Sequence, residues 1–257
     1  MSKIAIITGA SSGIGGAAAI ALAERGVDSI VTYNSHEDRV LEIVAAVKEL
    51  GAKAIPLRLD VGVSASFKAF KDEVVAVLDR EWQASSFDYL VNNAGILQMA
   101  SFEETTEELF DVYHRVMFKG PYFLTQALLP LLADGGAIVN VTSNAISKSG
   151  MGPGGSAYAA MKGALTTLTS CMAIEFGGRG VRVNAIAPGA TRTRIADDAY
   201  DKYPVVIQGI VDKTALGRLG QADDVGVAIA AVLSDDFRWV TGQSIEVSGG
   251  ARMSMTS

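Results

Sequence analysis

The feature that most restricts this chain is an alternation of short apolar runs with longer amphipathic ones. Ile4–Thr8, Ser29–Tyr33, Ala54–Leu59, Tyr89–Val91, Ala137–Thr142, Arg182–Ile186 and Ser244–Val247 read as strands. Between them, Gly13–Arg25, Asp38–Leu50, Ser64–Trp82, Thr106–Leu132, Ala157–Phe176 and Asp223–Leu233 read as helices. Strand–helix–strand repetition builds a parallel sheet with helices on both faces. Strands buried on both sides should be continuous Ile/Val/Leu runs, as these are. Right-handed crossovers then make the sheet doubly wound. The expected fold class is α/β, a single domain over residues 1–257. The weakly periodic stretch from Ala190 to Gly220 is read as a connection or lid, a kind of segment that carries function when a compact domain keeps it.

Composition narrows the function classes. The 257 residues are 49% hydrophobic and 19% charged, so the chain can bury enough surface to fold. One cysteine, Cys171, excludes a disulfide scaffold. With 22 basic against 28 acidic residues the net charge is −6, which argues against nucleic acid as a partner. Ile4–Ile7 is too short for a secretory segment, and no apolar stretch approaches a membrane span. The expectation is a cytoplasmic protein without a membrane.

Strand one runs into Thr8-Gly9-Ala10-Ser11-Ser12-Gly13-Ile14-Gly15, and a helix follows at once. Glycines at 9, 13 and 15 permit a tight turn and close approach of a pyrophosphate to the backbone, and the helix N-terminus offers it free N–H groups. A Gly-rich turn between a strand and a helix, opening the first βαβ unit, is the context of a Rossmann-type dinucleotide site. No Lys-Ser or Lys-Thr follows, which excludes a Walker-type ATP site. The second strand ends in Thr32-Tyr33-Asn34-Ser35-His36, with no carboxylate before Glu37. An NAD site usually places one there to bind the ribose 2′-hydroxyl. Tyr33, Asn34 and Ser35 are therefore assigned to a cofactor end that prefers NADP(H) and leaves NAD(H) possible. Neither Arg nor Lys stands at the strand end itself; His36 and Arg39 lie just beyond it.

Taken together, these residues resemble the short-chain dehydrogenase/reductase family over essentially the whole chain. Leu59-Asp60-Val61 is similar to its adenine-side segment, and Asn92-Asn93-Ala94-Gly95 to its fourth-strand motif. Tyr158-Ala159-Ala160-Met161-Lys162 matches its Tyr-x-x-x-Lys pair, with Ser143 closing the strand before it. Pro188-Gly189-Ala190-Thr191-Arg192-Thr193 resembles its nicotinamide-side loop, and Ser248-Gly249-Gly250 its C-terminal ending. The resemblance implies that Gly9, Ser11, Ser12, Gly13, Ile14 and Gly15 hold the pyrophosphate. Asp60, Val61, Asn92, Ala94 and Gly95 would flank the adenine and ribose, and Pro188, Gly189, Thr191 and Thr193 the nicotinamide. It points to the branch of 3-oxoacyl-thioester and carbonyl reductases, acting on a small-molecule ketone or alcohol, and to a homotetramer or homodimer packed through the long fourth and fifth helices.

The chemistry supports the same residues. Reducing a ketone needs a hydride and a proton for the developing alkoxide. A tyrosine hydroxyl ordinarily titrates near pH 10, too high for acid–base work at neutrality. A cation beside it stabilises the phenolate. Tyr158 and Lys162 are i and i+4 on a helix, hence neighbours on one face. Ser143 can donate a hydrogen bond to the substrate oxygen.

Two departures from the family pattern stand out. In the run His114-Arg115-Val116-Met117-Phe118-Lys119-Gly120, Met117 occupies the place where the family often has an Asn that holds a water next to the lysine. A thioether donates nothing. Proton resupply must then use backbone carbonyls, another water or His114. The second departure is a slightly lengthened segment at Met151-Gly152-Pro153-Gly154-Gly155, expected to bulge at the substrate mouth. Met99, Met151, Ile195, Tyr200, Tyr203 and Ile207 are candidates for an apolar cleft. Glu103, Glu104, Glu107 and Glu108 sit where a helix dipole favours them, and no metal site is expected. Cys171 reads as a small core residue. Two rivals remain: a dinucleotide-binding sensor or scaffold with little catalysis, for which Met117 is the support, and an epimerase or dehydratase on the same fold.

Overall fold

A computed structural model describes residues 2–147, 153–194 and 204–251. In chain order it contains β1 (Ile4–Ile7), α1 (Gly13–Ala23), β2 (Asp28–Tyr33), α2 (Glu37–Glu49), β3 (Ala54–Arg58), α3 (Phe67–Trp82) and β4 (Phe87–Asn92). There follow α4 (Glu107–His114), α5 (Gly120–Leu128), β5 (Leu132–Val141), α6 (Ser156–Phe176), β6 (Arg182–Pro188) and β7 (Thr191–Arg192). The chain continues through α7 (Pro204–Val211), β8 (Gly220–Gln221), α8 (Ala222–Leu233) and β9 (Ser244–Val247).

Seven strands form one sheet in the order β3-β2-β1-β4-β5-β6-β9, every pair parallel. This is the doubly wound α/β architecture expected from the alternation. Strand direction around β1 reverses the winding, since β1 pairs with both β2 and β4. Ligands of open parallel sheets bind in the crevice at that reversal.

Successive residues of a strand face opposite layers. Ala5 and Ile7 point into a core shared with α1, α2 and α8, while Ile4 and Ile6 join Phe70, Val74 and Leu78 of α3 and Leu124 and Leu128 of α5. Helix α1 buries Gly15 through Ala19 and Ala21 through Ala23, which lets α8 approach closely. A Cβ on Gly226 would stand 2.6 Å from the Ala17 carbonyl carbon.

One long helix was expected over Thr106–Leu132. The structure instead breaks it: residues Arg115–Lys119 form a wider turn, α5 restarts at Gly120, and Leu132 already begins β5. Pro121 explains the break. It has no N–H to give the Met117 carbonyl, and its ring crowds that carbonyl four residues back. One inserted residue relieves both problems. Gly120 is required here because a Cβ would run into the Val61 carbonyl oxygen.

Candidate functional site

The Gly-rich turn is tied down on both sides. Ala10 N–H donates to the Thr32 carbonyl at 2.8 Å, and Gly9 N–H to Thr32 Oγ1 at 3.3 Å. From β4, Asn93 Nδ2 donates to the carbonyls of Thr8 at 2.8 Å and Gly9 at 3.1 Å. The amides of Asn93 and Ala94 donate to Thr8 Oγ1 at 2.9 and 3.0 Å. Gly9 has φ +65°, and a Cβ there would lie 2.9 Å from the Ala94 Cα. A Cβ on Gly15 would come within 2.5 Å of Asn93 Nδ2. Glycine is therefore required for the turn to pack on Asn93 and Ala94, and the first turn of α1, with no acidic residue in it, presents N–H groups without intrahelical acceptors to a pyrophosphate. The chain fits a dinucleotide at this point.

Sequence reasoning assigned Asn92 to the cofactor. The structure turns its side chain away: Asn92 Nδ2 donates to Thr125 Oγ1 at 3.0 Å and Asn140 Oδ1 at 2.8 Å. Asn140 in turn donates to Thr169 Oγ1 at 2.9 Å. Asn92 thus braces β4 against β5 and α5, and Asn93 is the residue that reaches the turn. Alternation along the strand is the signal that separates them.

At the end of β2, Asn34, Ser35 and His36 are exposed, and Tyr33 is partly buried. Desolvation raises the Tyr33 pKa, with Glu37 adding to the shift. Arg58 was not anticipated. Parallel register sets it beside Tyr33, and its Nε donates to the Asn34 carbonyl at 3.2 Å, so a guanidinium stands at the strand end after all. Asp60, exposed, accepts the Gly62 N–H at 2.8 Å and shapes the bend that follows β3; Val61 is buried beneath α5.

The opposite wall comes from the loop after β6. Gly189 N–H donates to the Val247 carbonyl at 3.0 Å, and a Cβ on Gly189 would lie 2.6 Å from that of Ser248. Thr191 is buried and donates to the Gly189 carbonyl at 2.9 Å. Thr193 lies 3.3 Å from where a Gly13 Cβ would stand, so this loop closes against the Gly-rich turn.

Between these walls sits the catalytic candidate set. Ser143 follows β5, nine-tenths buried, and its Oγ accepts the Ala145 N–H at 3.1 Å, which leaves its proton for another acceptor. The turn Asn144–Ile146 packs against α6, which carries Tyr158 and Lys162. Lys162 is 4% exposed, and its Nζ donates to the Val141 carbonyl at 2.7 Å. The amine lies 5.9 Å from the centroid of the Tyr158 ring. A Cβ on Gly95 would stand 3.8 Å from Nζ and 4.0 Å from the Met117 sulfur. Strand ends β4 and β5, helix α6 and the wide turn thus converge on one ammonium. Desolvation lowers its pKa to about 8.

Met117 is fully buried in an apolar cluster with Tyr113 and Met161, against which Tyr158 packs. His114 lies one residue round from Tyr113, and its ring sits 6.1 Å from that of Phe118, on the row continued by Tyr122. Cys171, expected in the core, is exposed on the outer face of α6. The helix is apolar on more than one side, so periodicity could not place it. Thr106 caps α4 by accepting the Leu109 N–H at 3.2 Å, and in the first turn hydrogen bonds from its own backbone N–H and from Thr106 lower the pKa of Glu108.

A cleft of about 650 Å³ opens beside α6, lined by Ser101, Phe102, Ile146, Pro153 and Gly154 together with Ser156, Ala159, Ala160 and Gly163. Ser156, Ala159, Ala160 and Gly163 are i, i+3, i+4 and i+7, so the cleft lies on a face of α6 turned away from Tyr158. Met99 is largely exposed near Gly154 and Ile207 is half-buried. Met151, Gly152, Ile195, Tyr200 and Tyr203 lie outside the described residues.

A family model described as enoyl-(acyl carrier protein) reductase matches residues 9–252. The protein is a short-chain dehydrogenase/reductase. A versicolorin reductase of Emericella nidulans is 32% identical over 259 residues, covering 97% of this chain and 95% of the relative. Among solved structures, the promiscuous reductase LugOII, which catalyses keto-reduction at C1 during lugdunomycin biosynthesis, superposes with a TM-score of 0.92 at 34% identity, covering 98% of both chains. The angucycline C-6 ketoreductase LanV, solved with bound NADP, gives 0.92 at 31% identity over 98% of this chain and 96% of its own. This short-chain dehydrogenase/reductase is accordingly an NAD(P)-dependent enzyme acting on a carbonyl/secondary-alcohol pair. Among its described residues no helix is long and apolar enough to cross a membrane.

Proposed function

We propose that this enzyme uses NADPH to reduce a ketone to a secondary alcohol, with Tyr158 as proton donor, Lys162 as the cation that acidifies it and Ser143 as hydrogen-bond donor to the substrate oxygen. The observation that carries the reading is the buried Lys162 amine, hydrogen-bonded to Val141 at 2.7 Å and 5.9 Å from the Tyr158 ring. With a pKa of about 8 the amine still holds its proton at neutral pH. Its charge favours the phenolate that forms when Tyr158 gives up a proton.

Bound NADPH supplies the hydride. Gly9, Gly13 and Gly15 keep the backbone open to the pyrophosphate, with Ser11, Ser12 and Ile14 completing the turn. Asp60, Val61, Ala94 and Gly95 flank the adenine and ribose, and Pro188, Gly189, Thr191 and Thr193 close the nicotinamide side. Arg58, with Asn34 and Ser35, receives the 2′-phosphate; a guanidinium suits a phosphate dianion better than a 2′-hydroxyl. Ser143 steadies the carbonyl oxygen as charge grows there, and Tyr158 delivers the proton. The substrate is a ketone of the kind named for the versicolorin and angucycline reductases, with 3-oxoacyl thioesters the second class to be tried.

The enzyme works as a homo-oligomer. Ile174 is 82% exposed on the outer face of α6, and Phe110, Tyr122 and Phe123 are exposed on α4 and α5. Large apolar side chains left exposed on these three helices suit a second copy of the chain.

Titration with NADPH and NADH, for wild type and Arg58→Ala, tests the cofactor end. NADPH should bind the tighter, and Arg58→Ala should weaken NADPH about tenfold, a loss of about 1.4 kcal/mol, while leaving NADH unchanged. Equal effects on both cofactors contradict the assignment. Consumption of NADPH with a panel of cyclic ketones and acyl thioesters tests the reaction; cofactor binding without turnover favours a sensor instead.

A further inference from the structure

The loop from Asn93 to Ala100 has no regular secondary structure, yet it runs from the Lys162 amine at Gly95 to the edge of the cleft at Ser101. Hydrogen bonds hold it at both ends: Asn93 and Ala94 on Thr8 Oγ1, and Ala100 N–H on the Gly154 carbonyl at 3.1 Å. The middle is held by one side chain. Tyr113 donates its hydroxyl proton to the Gln98 carbonyl and accepts the Gln98 N–H at 2.7 Å. The same ring is 2% exposed and meets Tyr158 edge to face, centroids 6.2 Å apart at 71°. Edge-to-face pairs are attractive and directional.

We propose that Tyr113 is a positioning residue, fastening the loop that starts beside the Lys162 amine to the ring of the proton donor so that this wall of the reaction site and the Tyr158 hydroxyl hold a fixed separation. The inference rests on the assignment of Tyr158 given above. A residue that only filled the core would not need the hydroxyl, because Met117 and Met161 beside it present none. Burial raises the pKa of the Tyr113 phenol, which keeps it neutral, a fixed donor and acceptor and not an acid in its own right. Misplacing a reacting group by about an ångström is enough to lower a rate substantially.

Three variants test this. Tyr113→Phe keeps the ring and removes both bonds to Gln98. It should raise KM for a bulky ketone roughly five- to tenfold, with kcat within about twofold and NADPH binding unchanged. Tyr113→Leu removes the ring as well and should lower kcat too, about tenfold. Gln98→Ala should behave as wild type, because only the backbone of residue 98 is used. Amide hydrogen exchange of residues 94–100 should quicken in Tyr113→Phe whether or not a substrate has been found. A KM in Tyr113→Phe matching wild type, or exchange in the loop unchanged, overturns the proposal. Wild-type protein without ketone turnover, but with faster exchange in Tyr113→Phe, counts against the functional reading and leaves the fastening standing.

Discussion

A primary amine taken out of water holds its proton less tightly, because burial penalises the charged form. Lys162 shows this, its pKa lowered to about 8 from 10.5 by desolvation. The consequence for stability has a definite sign. Below pH 8 the amine is charged in both folded and unfolded chains, and the folded state carries the whole penalty. Between about 8 and 10.5 the folded state sheds its proton first, so stability rises with pH. The cofactor-free Lys162→Met variant should therefore be more stable than wild type by a margin that shrinks by up to about 3 kcal/mol across that window. Urea melts of both proteins at several pH values measure it; a pH-independent margin contradicts the account. At this scale the sequence was legible wherever a residue type has one use. Gly9, Gly13 and Gly15 are bare because their neighbours leave no room, and Tyr158 and Lys162 meet because they are four apart on a helix. Arg58 and Asn93 were not legible. Their roles depend on strand register and on which face each side chain takes, which a single strand does not record.

Helices and strands were read from period and from their ends, and all seven sheet strands were anticipated to within a few residues except β5. Gly136, where a Cβ would meet the Asp88 carbonyl oxygen at 2.6 Å, lies inside β5, and Gly135 with φ +74° precedes it. Glycines of this sort read as a turn, so the strand seemed to begin at Ala137. The wide turn between α4 and α5 was missed for another reason. Its cause, Pro121, was visible, but its form depends on how the Met117 carbonyl is relieved. Packing between helices was beyond the sequence as well, since the closeness of α1 and α8 rests on Gly226 lying against Ala17. Gly226→Leu should destabilise the fold by about 3 kcal/mol or more, because backbone is what the new side chain meets. Gly163, partly buried but with nothing within 4 Å of where a Cβ would stand, should accept Ala at no loss of stability. Equal melting behaviour of the two variants would show that the α1–α8 contact is looser than described.

Across the whole molecule, the reversal of winding at β1 gathers the ends of β1, β2 and β4 around one crevice, while β5, β6 and α6 bring the proton-handling residues to its side. Nothing in a local stretch of sequence dictates this; it follows from strand order and crossover hand. The same architecture leaves Phe110 of α4, Tyr122 and Phe123 of α5 and Ile174 of α6 exposed. Light scattering should find an oligomer, and Ile174→Glu should shift it toward the monomer, because an apolar interface tolerates an unpaired carboxylate poorly. An unchanged mass would place the interface elsewhere. The central claim concerns one hydroxyl. In Tyr158→Phe the cavity, the cofactor turn and Lys162 all remain, and only the transferable proton is lost. Turnover of a ketone by NADPH should fall at least about a hundredfold while NADPH affinity stays within about twofold of wild type. Turnover close to that of wild type would mean that the proton comes from another group.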